Sequence, residues 1–285
     1  MYVSMKQMLA KAADEGYAVM AINAFNLESA AGIIRAATRM RAPIIIDLLQ
    51  EHLKTCFDCD VLTSSLITMA QQAPIPVAIN LDHGSDVAHL KWCLQQGFSS
   101  VMIDASAQSF EDNLAITRSV VELAQQFNAS VEAEFGNMGL VGEGAGFTEQ
   151  TMYTDPDAAI EFIQKTGVDA LAISYGSTHG DYPEGYTPTF HFDIVEKIKQ
   201  ATNVALVLHG GSGSGPENIK RSVVSGINKI NVGTDYMIAQ RQVIIDGLLE
   251  DKNYDFPALM KRSYTEGSRC IEEYIKLSGS EGKAF

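Results

Sequence analysis

Short apolar runs recur along this chain, each followed by a longer stretch of helical period. The runs are rich in β-branched residues. They are Ala18 to Asn23 (AVMAIN), Pro43 to Asp47 (PIIID), Val77 to Asp82 (VAINLD), Ser100 to Asp104 (SVMID), Ser130 to Glu134 (SVEAE), Asp169 to Ser174 (DALAIS), Val204 to His209 (VALVLH) and Lys229 to Val232 (KINV). Each is a candidate strand. Helix signals stand between them. Asn26 is placed to cap Leu27–Arg41, Ser85 to cap a helix running to Gln96, and Asp155-Pro156 opens another with proline at its first position. Short continuous apolar strands alternating with helices predict parallel strands buried on both faces. Eight such units in about 250 residues suit a closed (β/α)8 TIM barrel of the α/β class. The expected domain is a single one over 1–285, with a C-terminal helical extension from about residue 256. A doubly wound open sheet is the rival architecture, but it more often shows roughly five to seven strands.

Composition and charge narrow the partners. The chain has 285 residues, enough to bury about three quarters of its unfolded surface without disulfide staples. It carries 21 Lys and Arg against 35 Asp and Glu, a net charge of −14, and no basic cluster of the kind duplex phosphates or a membrane surface require. An anionic small molecule stays compatible, because backbone N–H groups and helix N-termini attract anions locally. No apolar stretch approaches the roughly 18 residues that span a bilayer. The opening MYVSMKQMLAKAADEG puts charges where a signal peptide has its apolar core, so a cytoplasmic location is expected. Cys56, Cys59, Cys93 and Cys270 are irregularly spaced and read as free thiols. His52 with Cys56 and Cys59 resembles part of a zinc site, but a fourth ligand and a second cysteine pair are missing.

In a barrel of this kind the chemistry sits at the C-terminal ends of the strands. Those ends are polar here: Asp82-His83-Gly84-Ser85, Asp104-Ala105-Ser106, Glu132 and Glu134 before Gly136, Gly176 to Gly180, His209 to Gly213, and Asn231 to Asp235. Three of the six histidines, His83, His179 and His209, fall at or just past strand ends. Three imidazoles converging from separate strands would make an open zinc site with a position left for substrate; the other reading is three unrelated loop histidines. His89 and His191 read as ordinary surface residues. Asp82 is either a general base or the group that orients a ligand histidine, and it shares a face with His83 only if the chain twists there. Asp104 and Glu134 either hold an alternative metal position or are polar packing at the barrel mouth.

The segment from His209 to Glu217 leaves a strand, runs through glycines and opens a helix. Such a loop lets several N–H groups reach one phosphate, unless it is merely a set of tight turns. Its spacing fits neither a dinucleotide fingerprint nor a Walker loop. Gly233-Thr234 offers a second N–H and a hydroxyl, and phosphate held after strands seven and eight is a recurring barrel feature. The longest interval, between strands five and six, contains the glycine-rich stretch Gly136 to Gly146 and is expected to be a functional flap.

Taken together, the strings LDHGS, SVMIDAS, VEAEFG, GSTHGDY, LVLHGGSG and INVGTD resemble the class II, metal-dependent ketose-bisphosphate aldolases, the family of the fructose- and tagatose-bisphosphate enzymes. The likeness runs from Ala24-Phe25-Asn26 to Gly279-Ser280. It implies a lyase of carbohydrate metabolism, related to glycolysis, that reversibly cleaves a ketose 1-phosphate or 1,6-bisphosphate to dihydroxyacetone phosphate and an aldehyde. It further implies that His83, His179 and His209 bind a catalytic zinc, that Asp82 is the acid/base at the C4 hydroxyl, and that Asp104 and Glu134 mark a second or alternative metal location. Gly180, Gly210, Gly211, Ser212, Asn231, Gly233 and Thr234 would form the dihydroxyacetone-phosphate pocket, with a monovalent cation nearby. A homodimer or homotetramer is the implied assembly. The departures lie elsewhere. Asp47 to His52 is bulkier and more acidic than the family's usual small residues near the aldehyde end, Glu143 stands alone as the candidate loop acid, and Tyr175 and Asp181 flank His179. Those departures motivate one alternative from a different class: a catalytically silent barrel that binds a sugar phosphate as a sensor or partner subunit. A Schiff-base mechanism would need Lys229, which opens strand eight and so is expected at the barrel bottom.

Overall fold

The computed structural model describes residues 1–55, 59–136, 153–180, 182 and 186–285, and only the backbone of Cys59 and Asp60. Among these residues eight parallel strands close into a barrel in sequence order: β1 (Val19–Asn23), β2 (Ile44–Leu49), β3 (Val77–Gly84), β4 (Ser100–Ile103), β5 (Ser130–Phe135), β6 (Ala170–Ile173), β7 (Ala205–Leu208) and β8 (Ile227–Val232), with β8 pairing β1. The open-sheet rival is thereby excluded.

Alternation along each strand sorts side chains to two cores. Met20 and Ile22, Ile44 and Ile46, and Ile79 and Leu81 pack outward under the helices. Val19 and Ala21, Ile45, Ala78, Ala170 and Ala172, and Val207 point inward and make a second, smaller core. The inward residues are small because the interior is narrow. Its bottom is filled by the N-terminal helix Met5–Glu15, which inserts Met5, Met8, Leu9 and Ala12. Burying Met5, Met8 and Leu9 contributes about 1.5–3 kcal/mol each. Ser4 caps this helix, and Gly16, at φ 69°, ends it. On the same inward parity, higher up, stand Asp47, Asn80, Asp82, Glu132, Glu134, Lys229 and Asn231, all buried. The polar end of the barrel is thus built by the same two-residue period that builds its core.

Caps follow the sequence with one exception. Asn26 accepts from the Ser29 N–H and completes a capping box at the start of Leu27–Arg39. Asp155 caps Pro156–Thr166, whose proline sits at the helix start. The helix Val87–Gln95, however, is capped by Asp86, not Ser85. The Ser85 hydroxyl accepts from the Gln50 amide at 3.0 Å instead. The last helices, Phe256–Gly267 and Arg269–Leu277, pack back on the helices Leu27–Arg39 and Thr234–Glu250. No helix among the described residues is long and apolar enough to cross a membrane.

Candidate metal centre and anion cradle

Adjacent residues on a regular strand face opposite ways, yet Asp82 and His83 both reach the barrel mouth. A local irregularity makes this possible. The register of β3 against β4 shifts between Leu81 and Gly84, and His83 takes a left-handed φ of 48°. A bulge of this kind re-aims a side chain, and a non-glycine residue held at positive φ is strain of the sort found at functional sites. Gly84 closes the bulge, since a Cβ there would collide with the Met102 carbonyl oxygen.

The three strand-end histidines converge. Ring centroids of His83 and His179 are 4.9 Å apart, those of His83 and His209 4.8 Å, and those of His179 and His209 5.6 Å, all edge to face. One nitrogen from each lies within 4.8 Å of the others. The partners of the remaining nitrogens say which atoms are free to coordinate. His83 Nδ1 is 3.0 Å from Asp104 Oδ2. His209 Nε2 is 2.8 Å from Glu132 Oε1. Carboxylates only accept, so both of those nitrogens donate. That leaves His83 Nε2 and His209 Nδ1 turned toward each other at 3.1 Å, the atoms open to coordinate an ion once His83 gives up its second proton. His179 Nε2 is buried with no hydrogen-bond partner. Three converging imidazoles, one with an orphaned buried nitrogen, fit a cation between them, and the donor set suits a borderline-soft divalent ion.

The charges around the cluster act the same way. Burial works against a charge on His83, but Asp82, Asp104 and Glu134 outweigh it and push its pKa up to about 10. Burial, and then the charge on His83, lowers His179 to about 4 and holds His209 well below its ordinary value. The site thus keeps one positive charge and two neutral imidazoles. A second cluster shares His83: Asp104 and Glu134 offer carboxylate oxygens, the latter 3.9 Å from His83 Nδ1. Despite its burial, Asp104 is held well below the usual carboxylate range by His83 and Ser106. Burial, and then Asp104, pushes Glu134 up to about 8, and its Oε2 has no hydrogen-bond partner. Asp82 is aimed by two amides, accepting from Asn23 Nδ2 at 2.8 Å and Asn231 Nδ2 at 3.3 Å. Its Oδ1 lies 4.0 Å from His83 Nε2, beside the cluster rather than in it.

A cleft of about 160 Å³ opens onto these groups. Gly180, Gly210, Ser212, Asn231, Gly233 and Thr234 line one side of it. Gly210 has φ 64° and lies so close to Thr178 that any side chain would strike the Thr178 carbonyl oxygen. Gly233 precedes the 17-residue helix Thr234–Glu250 and offers it no side-chain cap, while the Asp235 N–H is donated to the Ser212 hydroxyl at 3.2 Å. A helix start of this kind, at the cleft wall, is favourable to an anion. Gly211 does not line the cleft: its N–H is donated to the Asn231 carbonyl, and its missing side chain makes room for that strand. It shapes the cradle without facing it.

Other expectations change. Asp47 does not reach the substrate end of the cleft. It is fully buried, accepts from Asn80 Nδ2 at 2.9 Å and lies 3.5 Å from Lys229. Leu49 and His52 line the cleft in its place. Lys229 is not at the barrel bottom either. β8 starts two residues earlier, and the Lys229 ammonium is enclosed in the interior, 2.6 Å from Glu132 Oε2. Locked in that pair, it has no opening to a carbonyl substrate. Tyr175 turns away from His179 and donates to the Ser222 hydroxyl at 2.8 Å. His89 and His191 are half-buried, the first stacked on Trp92 and the second tilted against Tyr153. Glu143 and the Gly136–Gly146 flap beyond its first residue, Asp181, Cys56 and the Cys59 side chain lie outside the described residues. Asn23, Asn80 and Glu132 took no role in the sequence reading. A polar residue at an inward position of an otherwise apolar strand was the available signal.

The family model for fructose-bisphosphate aldolase class-II matches residues 3–283. A fructose-bisphosphate aldolase of Staphylococcus aureus (strain N315) is 38% identical over 277 residues, 96% of this chain and 94% of that protein. A 6-phospho-5-dehydro-2-deoxy-D-gluconate aldolase of Halalkalibacterium halodurans is also 38% identical, over 98% of this chain and 95% of its own. The crystal structure of the YdjI aldolase from Escherichia coli K12 superimposes with a TM-score of 0.88 at 32% identity, covering 100% of both chains. The convergence of histidines and the sequence likeness thus point one way, and this chain belongs to the class-II fructose-bisphosphate aldolase family.

Proposed function

We propose that this aldolase is zinc-dependent and reversibly cleaves a ketose 1-phosphate or 1,6-bisphosphate to dihydroxyacetone phosphate and an aldehyde. The observation that carries the reading is the meeting of three imidazole nitrogens within 4.8 Å, beside a buried carboxylate and a glycine-walled cleft. His83, His179 and His209 would hold the ion, with Asp104 and Glu134 as an alternative or second position around His83. When bound, the ion supplies Lewis-acid polarisation of the substrate carbonyl.

The chain's own residues do the rest. The helix start at Gly233-Thr234 and the N–H groups of Gly210 and Ser212 receive the phosphate, with Gly180 and Asn231 closing the cleft. Fixing that end places the reacting carbons next to Asp82, a gain in positioning rather than in chemistry. Asp82, held by Asn23 and Asn231, takes the C4 hydroxyl proton. The C3–C4 bond then breaks, its electron pair stays on C3, and the aldehyde leaves. A loop acid, for which Glu143 is the candidate, returns a proton to C3. A monovalent cation beside the phosphate, self-association as a homodimer or homotetramer, and a cytoplasmic location belong to the same proposal.

The test is release of dihydroxyacetone phosphate across ketose 1-phosphates and 1,6-bisphosphates of differing stereochemistry and tail length, before and after chelation. Activity with at least one, lost on chelation and restored by zinc or cobalt, is expected. Silence across the panel with zinc bound, or full activity after complete chelation, would overturn the proposal.

A further inference from the structure

Beneath the histidine cluster the barrel interior holds a layer of charge. Lys229, Glu132 and Asp47 are each 0% exposed. The Lys229 ammonium lies 2.6 Å from Glu132 Oε2 and 3.5 Å from Asp47 Oδ2. The second oxygen of Glu132 faces His209 Nε2 at 2.8 Å, and the second oxygen of Asp47 accepts from Asn80. Unpaired, any of these charges would be costly at this depth.

The hydrogen-bond inventory allows one solution. An ammonium only donates, so Glu132 accepts at Oε2. Its Oε1, also an acceptor, then requires a proton on His209 Nε2. Asn231 Nδ2 also lies 3.3 Å from that nitrogen and gives one hydrogen to Asp82 Oδ1, but the shorter 2.8 Å contact to a carboxylate oxygen, which can only accept, places the proton on Nε2. The His209 lone pair is therefore on Nδ1, the atom that faces the cluster. Neutral imidazole has two tautomers close in energy, and only one can coordinate here.

We propose that the buried Asp47–Lys229–Glu132 triad is a positioning device that selects the His209 tautomer and aim, and so sets the affinity of the site for a divalent ion. The inference rests on the reading of His83, His179 and His209 as metal ligands. Lys229 acts at one remove, keeping Glu132 turned as a two-sided acceptor. A glutamine at 132 has one acceptor oxygen for two donors. It must abandon either His209 or Lys229, and an unmatched ammonium takes the oxygen.

The test uses the full chain, stripped of metal and titrated with Co²⁺ alone, reading affinity and the visible absorption of the bound ion. Glu132→Gln should bind Co²⁺ about 10–100-fold more weakly, with an altered spectrum, as for other groups that orient ligand histidines. Combining it with Lys229→Met and Asp47→Asn removes the competing donor and both buried carboxylates. The amide oxygen is then free for His209, and this neutral variant should recover at least about tenfold of the loss. Unaltered Co²⁺ binding in folded Glu132→Gln, or a folded neutral variant no tighter than Glu132→Gln, overturns the proposal. The unsubstituted protein gives an independent readout: imidazole ¹⁵N shifts of the metal-free chain should show His209 protonated at Nε2, and protonation at Nδ1 overturns it. If the unsubstituted chain binds no Co²⁺, the ligand reading fails and this inference with it; binding with the wrong tautomer sinks this inference alone.

Discussion

Replacing Asp82 with alanine should separate turnover from metal binding. The carboxylate is 3% exposed, and although its Oδ1 comes within 4.0 Å of His83 Nε2 it joins neither cluster of converging ligand atoms. Removing it therefore leaves the imidazole nitrogens their positions while deleting the group proposed to take the C4 proton. Positioned acid–base groups typically contribute 10²–10⁴ in rate, so at about 1.36 kcal/mol per decade the barrier should rise by about 3–5 kcal/mol. Metal affinity should not fall. Asp82 is the largest of the charges that raise the proton affinity of His83, so without it fewer protons compete for that nitrogen. The assay pairs steady-state release of dihydroxyacetone phosphate with metal content after desalting. Asp82→Asn is the harsher companion, because both carboxylate oxygens accept from amides and an asparagine would set one N–H₂ against another. If Asp82→Ala keeps more than a tenth of the turnover, or loses metal in step with activity, the assigned role is wrong.

Further outcomes follow from the charges and the geometry. His83 is raised to about 10, so in the ion-free protein it stays protonated well above neutrality and an incoming ion must displace that proton. Zinc binding at pH 7.5 should release protons into the buffer, and affinity should rise by up to about tenfold per pH unit below pH 10. Calorimetry in buffers of different ionisation enthalpy reads both, and pH-independent affinity between pH 6 and 9 would contradict the charge assignment. The sign carries over to stability: the His83 contribution in the ion-free protein is full below its unfolded pKa of about 6.5 and is lost as pH rises through about 10. Gly210→Ala should cost about 1–2 kcal/mol from the left-handed φ alone, lower the Tm by several degrees and raise KM, since the Thr178 carbonyl beside the cradle must move. Gly16→Ala, with φ 69° and open space, carries the strain without the collision and should leave KM unchanged.

Much of this could be read in the chain. Eight apolar runs separated by helical periods imply a closed parallel barrel because strands buried on both faces admit little else. His83, His179 and His209 stood out because imidazoles at strand ends are rare enough to notice, and the glycines after β7 because a backbone approached so closely admits no side chain. What could not be read was direction and pairing. Asp47 looked like an end-of-strand acid, yet its inward parity sends the carboxylate to the barrel axis. Lys229 looked like the first residue of a strand, yet β8 begins earlier and buries its ammonium beneath the histidine cluster.

By itself, then, the sequence determined the alternation of strands and helices, the barrel it implies and the residue types at its mouth, because those depend on local period and on which side chains water will accept. Only the tertiary structure decided the rest. That His83 turns into the site beside Asp82 depends on a register slip against a neighbouring strand. That His209 offers Nδ1 depends on a glutamate from β5 answering a lysine from β8, 97 residues away along the chain. Such choices are made by the hydrogen-bond demands of groups brought together across a closed sheet, and no local pattern encodes them.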